Sequence, residues 1–431
     1  MIRIFLFLLM FMIIYAPKIG GRIDALSIFC GVSFVLALLA GSFSSVGGLV
    51  ARRVFYCGVG FLFMAAYSLW LVQLNDLHDY YQPLRFMRAL INAIGVFSLA
   101  SLYYHFLRGE ATRLLILHVW LCIIIHACLM LVMFVSPSIN LFIIDHVVVM
   151  DSEASGYVER AAGKRIGGLT NSWDATSAIQ AMGILLIPSI LKYVRTWVRK
   201  VLVILTIPIS IFAMAISGTT GFLILVAIGA LTTLIYGSIK YKVAMCGGAL
   251  ALVLGAYLSI GIISQYASDE VRESSIYRTA FMLLGSQSVD YARANRASDA
   301  RETIHVIFNS MYFFPETFSQ TLLGNGGSGR SADYVVEADP GPTLNLHNLG
   351  IIFCIFLYSF VATSIVSTIR IGRAMPACSS FGLVILCTLF IVDLKVQYLL
   401  ARNSLSFMML ALIVIWYETA RWKREQRRLK L

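Results

Sequence analysis

The chain has 431 residues, of which 59% are hydrophobic and 13% are charged, and its mean hydropathy is +0.82. In a soluble domain about a quarter of the residues are charged, so this composition excludes a soluble globular protein and predicts a polytopic membrane protein. The formal net charge of +12 does not indicate nucleic-acid binding, because the cations cluster in connections beside apolar stretches, as the positive-inside rule describes.

Twelve stretches are apolar enough to form spanning helices, which need ~20 mostly apolar residues each. The first is predicted to be a retained helix rather than a signal peptide, because no clear A-x-A cleavage site follows it and another apolar stretch begins at once. In chain order the stretches lie approximately at 2–17, 23–41, 54–74, 86–107, 114–135, 175–194, 200–217, 220–239, 243–263, 348–369, 380–396 and 403–420.

The distribution of cations predicts the orientation. Short basic connections with almost no acid alternate with connections that are not basic, and residues 421–430 carry six cations. Because basic connections face the cytoplasm, both termini are predicted to be cytoplasmic. The sequence therefore predicts an all-α integral membrane protein, with residues 1–431 as a single polytopic domain.

Two of the connections predicted to be extracytoplasmic are long, 136–174 and 264–347, and together they hold most of the acidic residues. Loops of this length between packed elements are usually functional or disordered, and both loops contain apolar side chains that argue against disorder. In the second loop, apolar positions between 289 and 311 recur near the 3.6-residue period, which predicts an amphipathic helix.

The second large loop contains six arginines and no lysine, although lysine occurs elsewhere in the chain. Guanidinium binds phosphate through two parallel hydrogen bonds, whereas ammonium acts as a point charge. The loop therefore predicts a site for a phosphate-bearing, membrane-anchored substrate. The six arginines are Arg272, Arg278, Arg293, Arg296, Arg301 and Arg330.

Arg165 stands in a glycine-rich segment, 163–174, just before the sixth apolar stretch. Backbone N–H groups and the helix dipole favour an anion at a helix N-terminus, so Arg165 would complete a phosphate cradle there. The alternative is a solvated arginine that balances Glu159 and Asp174. Arg160, in the same loop, is a further candidate for substrate binding.

In the second loop, Arg301 and His305 are four residues apart and share a face of the predicted helix. Both are candidates for binding the anionic substrate. Weaker candidates in the same loop are Arg278, Arg293 and Arg296. Each of these arginines stands near an acidic residue, so the alternative is a set of surface ion pairs.

Asp339 and His347 stand near the start of the apolar stretch 348–369, at the interface where a general base would have to lie. The alternatives are a turn that Asp339 forms with the neighbouring prolines and a capping role for His347. The glycine-rich segment 324–329 is not followed by the Lys-Ser/Thr of a phosphate-binding loop, so it is predicted to be a flexible turn.

Nothing in the sequence predicts a metal site or a cofactor. The eight cysteines show no CxxC or Cys/His spacing, which argues against a zinc site and a disulfide framework. Ionisable residues in the apolar stretches are scattered: His105, His118, His126 and Asp393. A proton- or ion-coupled transporter would show a set of buried carboxylates, so their scarcity argues against a pump.

Three short motifs stand in and after the two large loops. They are 163–174 with the small-residue helix that follows, Arg301 with Leu322-Leu323-Gly324-Asn325-Gly326, and Asp339-Pro340-Gly341 with Gly350-Ile351-Ile352. With the topology, they resemble the O-antigen polymerase (Wzy-type) and O-antigen ligase family over roughly 160–360. The resemblance implies a twelve-helix, GT-C-like glycosyltransferase of a bacterial inner membrane, with two large periplasmic loops and no metal or other cofactor.

By this resemblance, Arg165 and Arg301 would grip the diphosphate of an undecaprenyl-diphosphate-linked glycan, and Asp339, or with less support His347, would take the acceptor proton. The implied reaction is inverting polymerisation of repeat units into a surface polysaccharide: the O-antigen of lipopolysaccharide, a capsule or an exopolysaccharide. The implied partners are the lipid-linked glycans, the lipid bilayer, and a chain-length regulator and a flippase of the same pathway.

The chain departs from the ligase pattern in two places. The ligase histidine lies eleven residues before the glycine of the following helix, where this chain has Asp339, and His347 lies only three residues before Gly350. The turn 217–221 lacks an arginine that the family often has there. These departures favour a polymerase over a ligase that transfers finished glycan to a lipid acceptor. A lipid-linked-oligosaccharide flippase is a further alternative, although it would have short loops.

Overall fold

The structure is a computed structural model that describes residues 1–19, 23–148, 166–170, 172–218, 220–236, 312–327, 330–331, 334–336, 340–372 and 374–428. Within these residues the fold is all-helical apart from two small antiparallel hairpins. The predicted span 243–263 and the predicted loop helix 289–311 lie outside the described residues.

The elements follow in chain order. The helices are α1 (Ile2–Tyr15), α2 (Ala25–Leu39), α3 (Gly48–Leu74), α4 (Tyr81–Leu107), α5 (Ala111–Val135), α6 (Pro137–His146), α7 (Trp173–Leu185), α8 (Ile187–Tyr193), α9 (Trp197–Ser217), α10 (Thr220–Tyr236), α11 (Phe318–Leu323), α12 (Gly341–Ile371), α13 (Pro376–Lys395) and α14 (Arg402–Arg428). Short 3-10 helices, Ser42–Val46 and Arg108–Glu110, precede α3 and α5. Strands β1 (Lys18–Ile19) and β2 (Ile23–Asp24) form one hairpin, and β3 (Arg330–Ser331) and β4 (Tyr334–Val335) form the other.

Helix length and hydropathy make the chain a multi-pass membrane protein. Six helical stretches in the described part of the chain can cross a membrane, with α4 and α5 counted together, and a seventh is added if α7 and α8 form one bent span. The apolar helices α1, α2 and α10 are shorter than this test requires. Eleven of the twelve predicted stretches coincide with described helices, but twelve spans stay a prediction.

Two predicted stretches differ from the helices in detail. The stretch 175–194 is divided into α7 and α8, which meet at a bend of 40°, because Pro188 lacks the N–H that a continuous helix would use. The stretch predicted at 348–369 begins earlier, at Gly341. Pro342 lies in the first turn of this helix, where its fixed φ favours helix initiation and its missing N–H costs nothing.

The helices pack into two compact units, each with its own core. In the first unit, α4 packs against α1, α2, α3 and α14, and α13 packs against α12 and α14. In the second, α7 packs against α9 and α10, and buried aliphatic side chains of α5, α6 and α9 form a cluster. Close van der Waals packing of this kind is what holds helices together in a bilayer, where lipid is as apolar as the side chains.

Connections in the first unit gather at opposite ends of α4. At its start, Arg85 Nε donates to the carbonyl oxygen of Leu400 at 3.4 Å, which joins the connections 75–85 and 397–402. At its other end, Arg3 pairs with Glu110 at 2.8 Å. Connections that were predicted to share one side of the membrane therefore lie at the same end of α4. Which side of the membrane each end faces stays a prediction.

Candidate functional site

Among the four predicted catalytic residues, His347 is the one that the described part of the chain contains. Arg165, Arg301 and Asp339 lie outside the described residues. The predicted substrate-binding residues also lie outside: Arg160, Arg278, Arg293, Arg296 and His305. The structure therefore describes the segments on either side of the predicted site residues. These segments contain parts of the sequence motifs or lie next to them.

Helix α12 is interrupted at Gly350, whose φ is 76° and ψ is 171°. A Cβ atom at this position would lie 2.3 Å from the carbonyl oxygen of Leu322. Glycine is therefore required here both by the positive φ and by the close approach of another backbone. The interruption leaves carbonyl groups in the preceding turn without their usual partners four residues later, and buried carbonyl groups need other donors.

The turn that follows α11 supplies those donors. The N–H of Asn325 donates to the carbonyl oxygen of His347 at 3.0 Å, and the N–H of Gly326 donates to that of Asn348 at 2.7 Å. The two motif segments 322–326 and 347–350, which the sequence separates, are thus joined through their backbones. His347 lies at the point where they meet.

Side chains from α3 hold the same turn from its other side. Tyr67 Oη donates to the carbonyl oxygen of Leu323 at 2.8 Å, and Asn75 Nδ2 donates to that of Asn325 at 3.1 Å. Within the turn, the N–H of Gly327 donates to Asn325 Oδ1 at 3.0 Å. The described portion, 324–327, is buried. The sequence predicted a flexible turn at this point, and these bonds instead fix it against α3 and α12.

The imidazole of His347 is buried, with 4% of its surface exposed. Its Nε2 lies 3.4 Å from the carbonyl oxygen of Phe313, and its ring meets the Phe313 ring edge-on at 5.0 Å between centroids. A carbonyl oxygen can only accept, so the proton of a neutral ring belongs on Nε2. A proton taken from a substrate would therefore go to Nδ1.

A second polar network fixes the first half of α12 to the end of α13. Asp393, which is fully buried, accepts hydrogen bonds from the N–H groups of Tyr398 (2.7 Å) and Leu399 (2.8 Å) and from Tyr358 Oη (2.7 Å). Asn345 Nδ2 donates to Tyr358 Oη at 3.1 Å and accepts at Oδ1 from Gln397 at 2.8 Å. The network thus positions the turn of α12 that leads to His347.

Arg85 supplies the positive charge near this network. Its charge acts on the carboxyl group of Asp393, and the residue is 7% exposed. The phenol of Tyr398 is also buried, and burial raises its pKa, so it stays protonated. Sequence reasoning counted Asp393 only as a scattered ionisable group, although an aspartate inside an apolar stretch is itself a signal, because it is retained only with partners.

In the second unit, the motif segment that follows Arg165 contacts the turn 217–221. The N–H of Ile166 donates to the carbonyl oxygen of Ile216 at 3.0 Å. Ser177 Oγ donates to the carbonyl oxygen of Gly218 at 2.8 Å and accepts from the N–H of Gly221 at 2.9 Å. Asp174 and Thr220 are hydrogen-bonded through their side chains. The turn 217–221 is therefore adjacent to the segment after Arg165.

A buried histidine shapes the glycine-rich segment itself. The N–H of Leu169 donates to His126 Nε2 at 2.9 Å, so the ring proton must be on Nδ1. The side-chain amide of Gln180 lies 3.0 Å from Nδ1, and because Nδ1 is a donor, the amide oxygen is the group that must face it. A Cβ at Gly168, where φ is 62°, would lie 2.2 Å from Nε2, so this turn requires glycine.

The N-terminus of α7 carries its own polar groups. Ser172 is the N-cap and accepts from the N–H of Ala175 at 3.4 Å, and the carboxylate of Asp174 lies in the first turn. Both groups satisfy the positive end of the helix dipole. A phosphate cradle at this helix would have to share these groups, and the role of Arg165 in it stays a prediction.

Across the described residues, no three His, Cys, Asp or Glu side chains come together as a metal site. None of the described cysteines is in a disulfide bond. The fold and these polar contacts define a multi-pass helical membrane protein with a broken helix at Gly350. No protein-family model matches the sequence, and comparisons with curated proteins and with solved structures found no similar chain.

Proposed function

We propose that this protein is a membrane glycosyltransferase that polymerises undecaprenyl-diphosphate-linked repeat units into a surface polysaccharide, at the periplasmic face of a bacterial inner membrane. One observation carries the proposal: segments in or directly beside the motifs that resemble one family contact each other in pairs. Segment 166–174 contacts 216–221, and 322–326 contacts 347–350. These contacts hold the motif segments close to one another, as residues that act on one substrate must be.

The proposed reaction breaks the bond between the anomeric carbon of the growing glycan and its diphosphate. A hydroxyl of the incoming lipid-linked repeat unit attacks that carbon from the opposite face, which inverts its configuration. The electron pair leaves with undecaprenyl diphosphate, whose negative charge Arg165 and Arg301 would neutralise. Charge stabilisation of this kind is often the largest contribution to catalysis, and guanidinium matches the geometry of phosphate oxygens.

The hydroxyl proton needs an acceptor, and Asp339 is the preferred base. His347 is the second choice, and its Nδ1 would be the accepting atom because Nε2 faces the carbonyl oxygen of Phe313. The hydrogen bonds from Asn325 and Gly326 to the backbone of α12 support a positioning role for this part of the chain. The isoprenoid tail would stay in the bilayer while the sugars reach the large loops.

Deletion of the gene followed by gel analysis of surface glycans tests the reaction class. Loss of a polymerase leaves single repeat units attached to their lipid acceptor. Long chains retained on the carrier lipid, with none attached to the surface acceptor, would instead indicate a ligase. Loss of all repeat units from the periplasmic face would indicate a flippase, and either result would overturn the proposal.

Lysine substitutions test the bidentate role of the arginines. Arg301→Lys and Arg165→Lys should abolish polymer while the protein stays in the membrane, because lysine keeps the charge and loses the paired hydrogen bonds. Arg272→Lys, in the same loop and outside the motifs, is the matched control and should make normal polymer. Full activity in both test variants would contradict the proposed roles. Activity should persist in EDTA, since the arginines supply the charge.

A further inference from the structure

A polar cavity of about 450 Å³ lies at the end of the first unit where α4 turns into α5 and α14 passes beside it. Tyr104 and Tyr417 are stacked at 3.8 Å between ring centroids and line part of the cavity. His105 lines another part, and its Nδ1 lies 3.2 Å from Ser45 Oγ. The volume is within the range of small-ligand sites, roughly 300–1,000 Å³.

The charged side chains that line this cavity are cations. Arg108 comes from the turn between α4 and α5, and Arg421 comes from α14. No carboxylate is among the described residues that line it. Arg421 pairs outside the cavity with Glu425 at 3.1 Å, but both side chains are more than half exposed, and such a pair is weak enough to exchange for a ligand.

Arg108 is unusual in its backbone, and its side chain is exposed. Its φ is 41°, in the left-handed region that residues other than glycine seldom adopt. Its side chain has no hydrogen-bond or ion-pair partner among the described residues, although it lines the cavity. Strained backbone of this kind persists where the surroundings impose it and is concentrated at binding sites.

We infer that this cavity binds the phosphodiester headgroup of an anionic phospholipid. It lies where apolar helices end, so a headgroup reaches it while its acyl chains remain beside the helices. The two arginines in the lining favour a phosphodiester with net negative charge over a zwitterionic one. This inference is independent of the proposed glycosyl transfer.

Thermal unfolding of the purified full-length protein in neutral detergent tests the inference. Short-chain phosphatidylglycerol should raise Tm in a concentration-dependent way, because a ligand that binds only the folded state stabilises it. Short-chain phosphatidylcholine and inorganic phosphate should have much smaller effects. In R108G/R421Q the apparent affinity for phosphatidylglycerol should fall about tenfold or more, since two charge-assisted contacts are lost.

Two comparisons separate binding from folding. Arg108→Gly alone should fold normally, because glycine accepts a positive φ, and should still weaken the response to phosphatidylglycerol. R52Q/R427Q removes two exposed cations of α3 and α14 outside the cavity and should respond like the wild type. An equal loss in this control, or equal Tm shifts with phosphatidylcholine, would overturn the inference. An equal shift with inorganic phosphate would overturn the assignment to a lipid.

Discussion

The backbone N–H of Gly326 donates to the carbonyl oxygen of Asn348 at 2.7 Å, and this bond seats a buried turn in the interruption of α12. The interruption exists because Gly350 adopts a φ of 76°, which ends the first helical segment and frees its last carbonyl groups. A helix break and a distant turn therefore depend on each other: the turn supplies donors, and the break exposes acceptors.

Substitution of Gly350 by alanine tests this dependence. A Cβ would lie 2.3 Å from the Leu322 carbonyl oxygen, and a φ of 76° with a ψ of 171° is a conformation that costs a residue other than glycine on the order of 1–3 kcal/mol. We expect G350A to lower the free energy of unfolding by at least about 2 kcal/mol, measured by reversible denaturation in mixed micelles. G60A is the control, because nothing lies within 4 Å of its added Cβ; equal effects of the two substitutions would contradict the account.

Helix positions were largely readable from the sequence, for a local reason. A spanning helix satisfies its own backbone hydrogen bonds and shows as a continuous apolar run, so α3, α9 and α13 follow from composition alone. The break in α12 is not readable in this way. The residues after Gly350, Ile351 and Ile352, look like any helix interior. Only the φ of Gly350 and its contact with Leu322 show that the helix is interrupted.

The polar network around Asp393 shows why the scaffold of the site was harder to predict. Its bonds to Tyr398 and Leu399 are local, but Arg85 and Leu400 are 315 residues apart in sequence. A single sequence does not show which residues that are far apart along the chain lie close together in space. The motif segments were found by resemblance, and their pairing needed the structure. The roles of Arg165, Arg301 and Asp339 stay predictions from sequence.

Removal of the Asp393 charge should destabilise the first unit. In D393N one carboxylate oxygen becomes an NH2 group that cannot accept a hydrogen bond, so one of the bonds that Asp393 accepts is lost, which costs about 1–3 kcal/mol. Y358F removes one hydrogen bond and should cost about 1 kcal/mol. In the double variant the losses should not add, because Tyr358 and Asp393 share a bond. Full additivity in unfolding measurements would show that the two side chains act separately.

His126 should hold the glycine-rich segment of the second unit in place. In H126A the N–H of Leu169 loses its acceptor, so hydrogen–deuterium exchange of a peptide that spans 166–176 should accelerate by tenfold or more, given that one buried hydrogen bond is worth about 1–3 kcal/mol when its partner is lost. H146A, which removes an exposed histidine of α6, is the control. Unchanged exchange in H126A would mean that other contacts fix the segment.

The choice between the two candidate bases can be made by kinetics. If Asp339 takes the acceptor proton, D339N should lower the initial rate of polymerisation of lipid-linked repeat units by roughly 10²–10⁴-fold, the usual contribution of a general base. H347Q should lower it by less than about tenfold, through the packing of its buried ring against Phe313. E316Q, at an exposed position of the same loop, should leave the rate unchanged. A larger loss in H347Q than in D339N would transfer the role to His347, whose Nδ1 would then be the atom that accepts the proton.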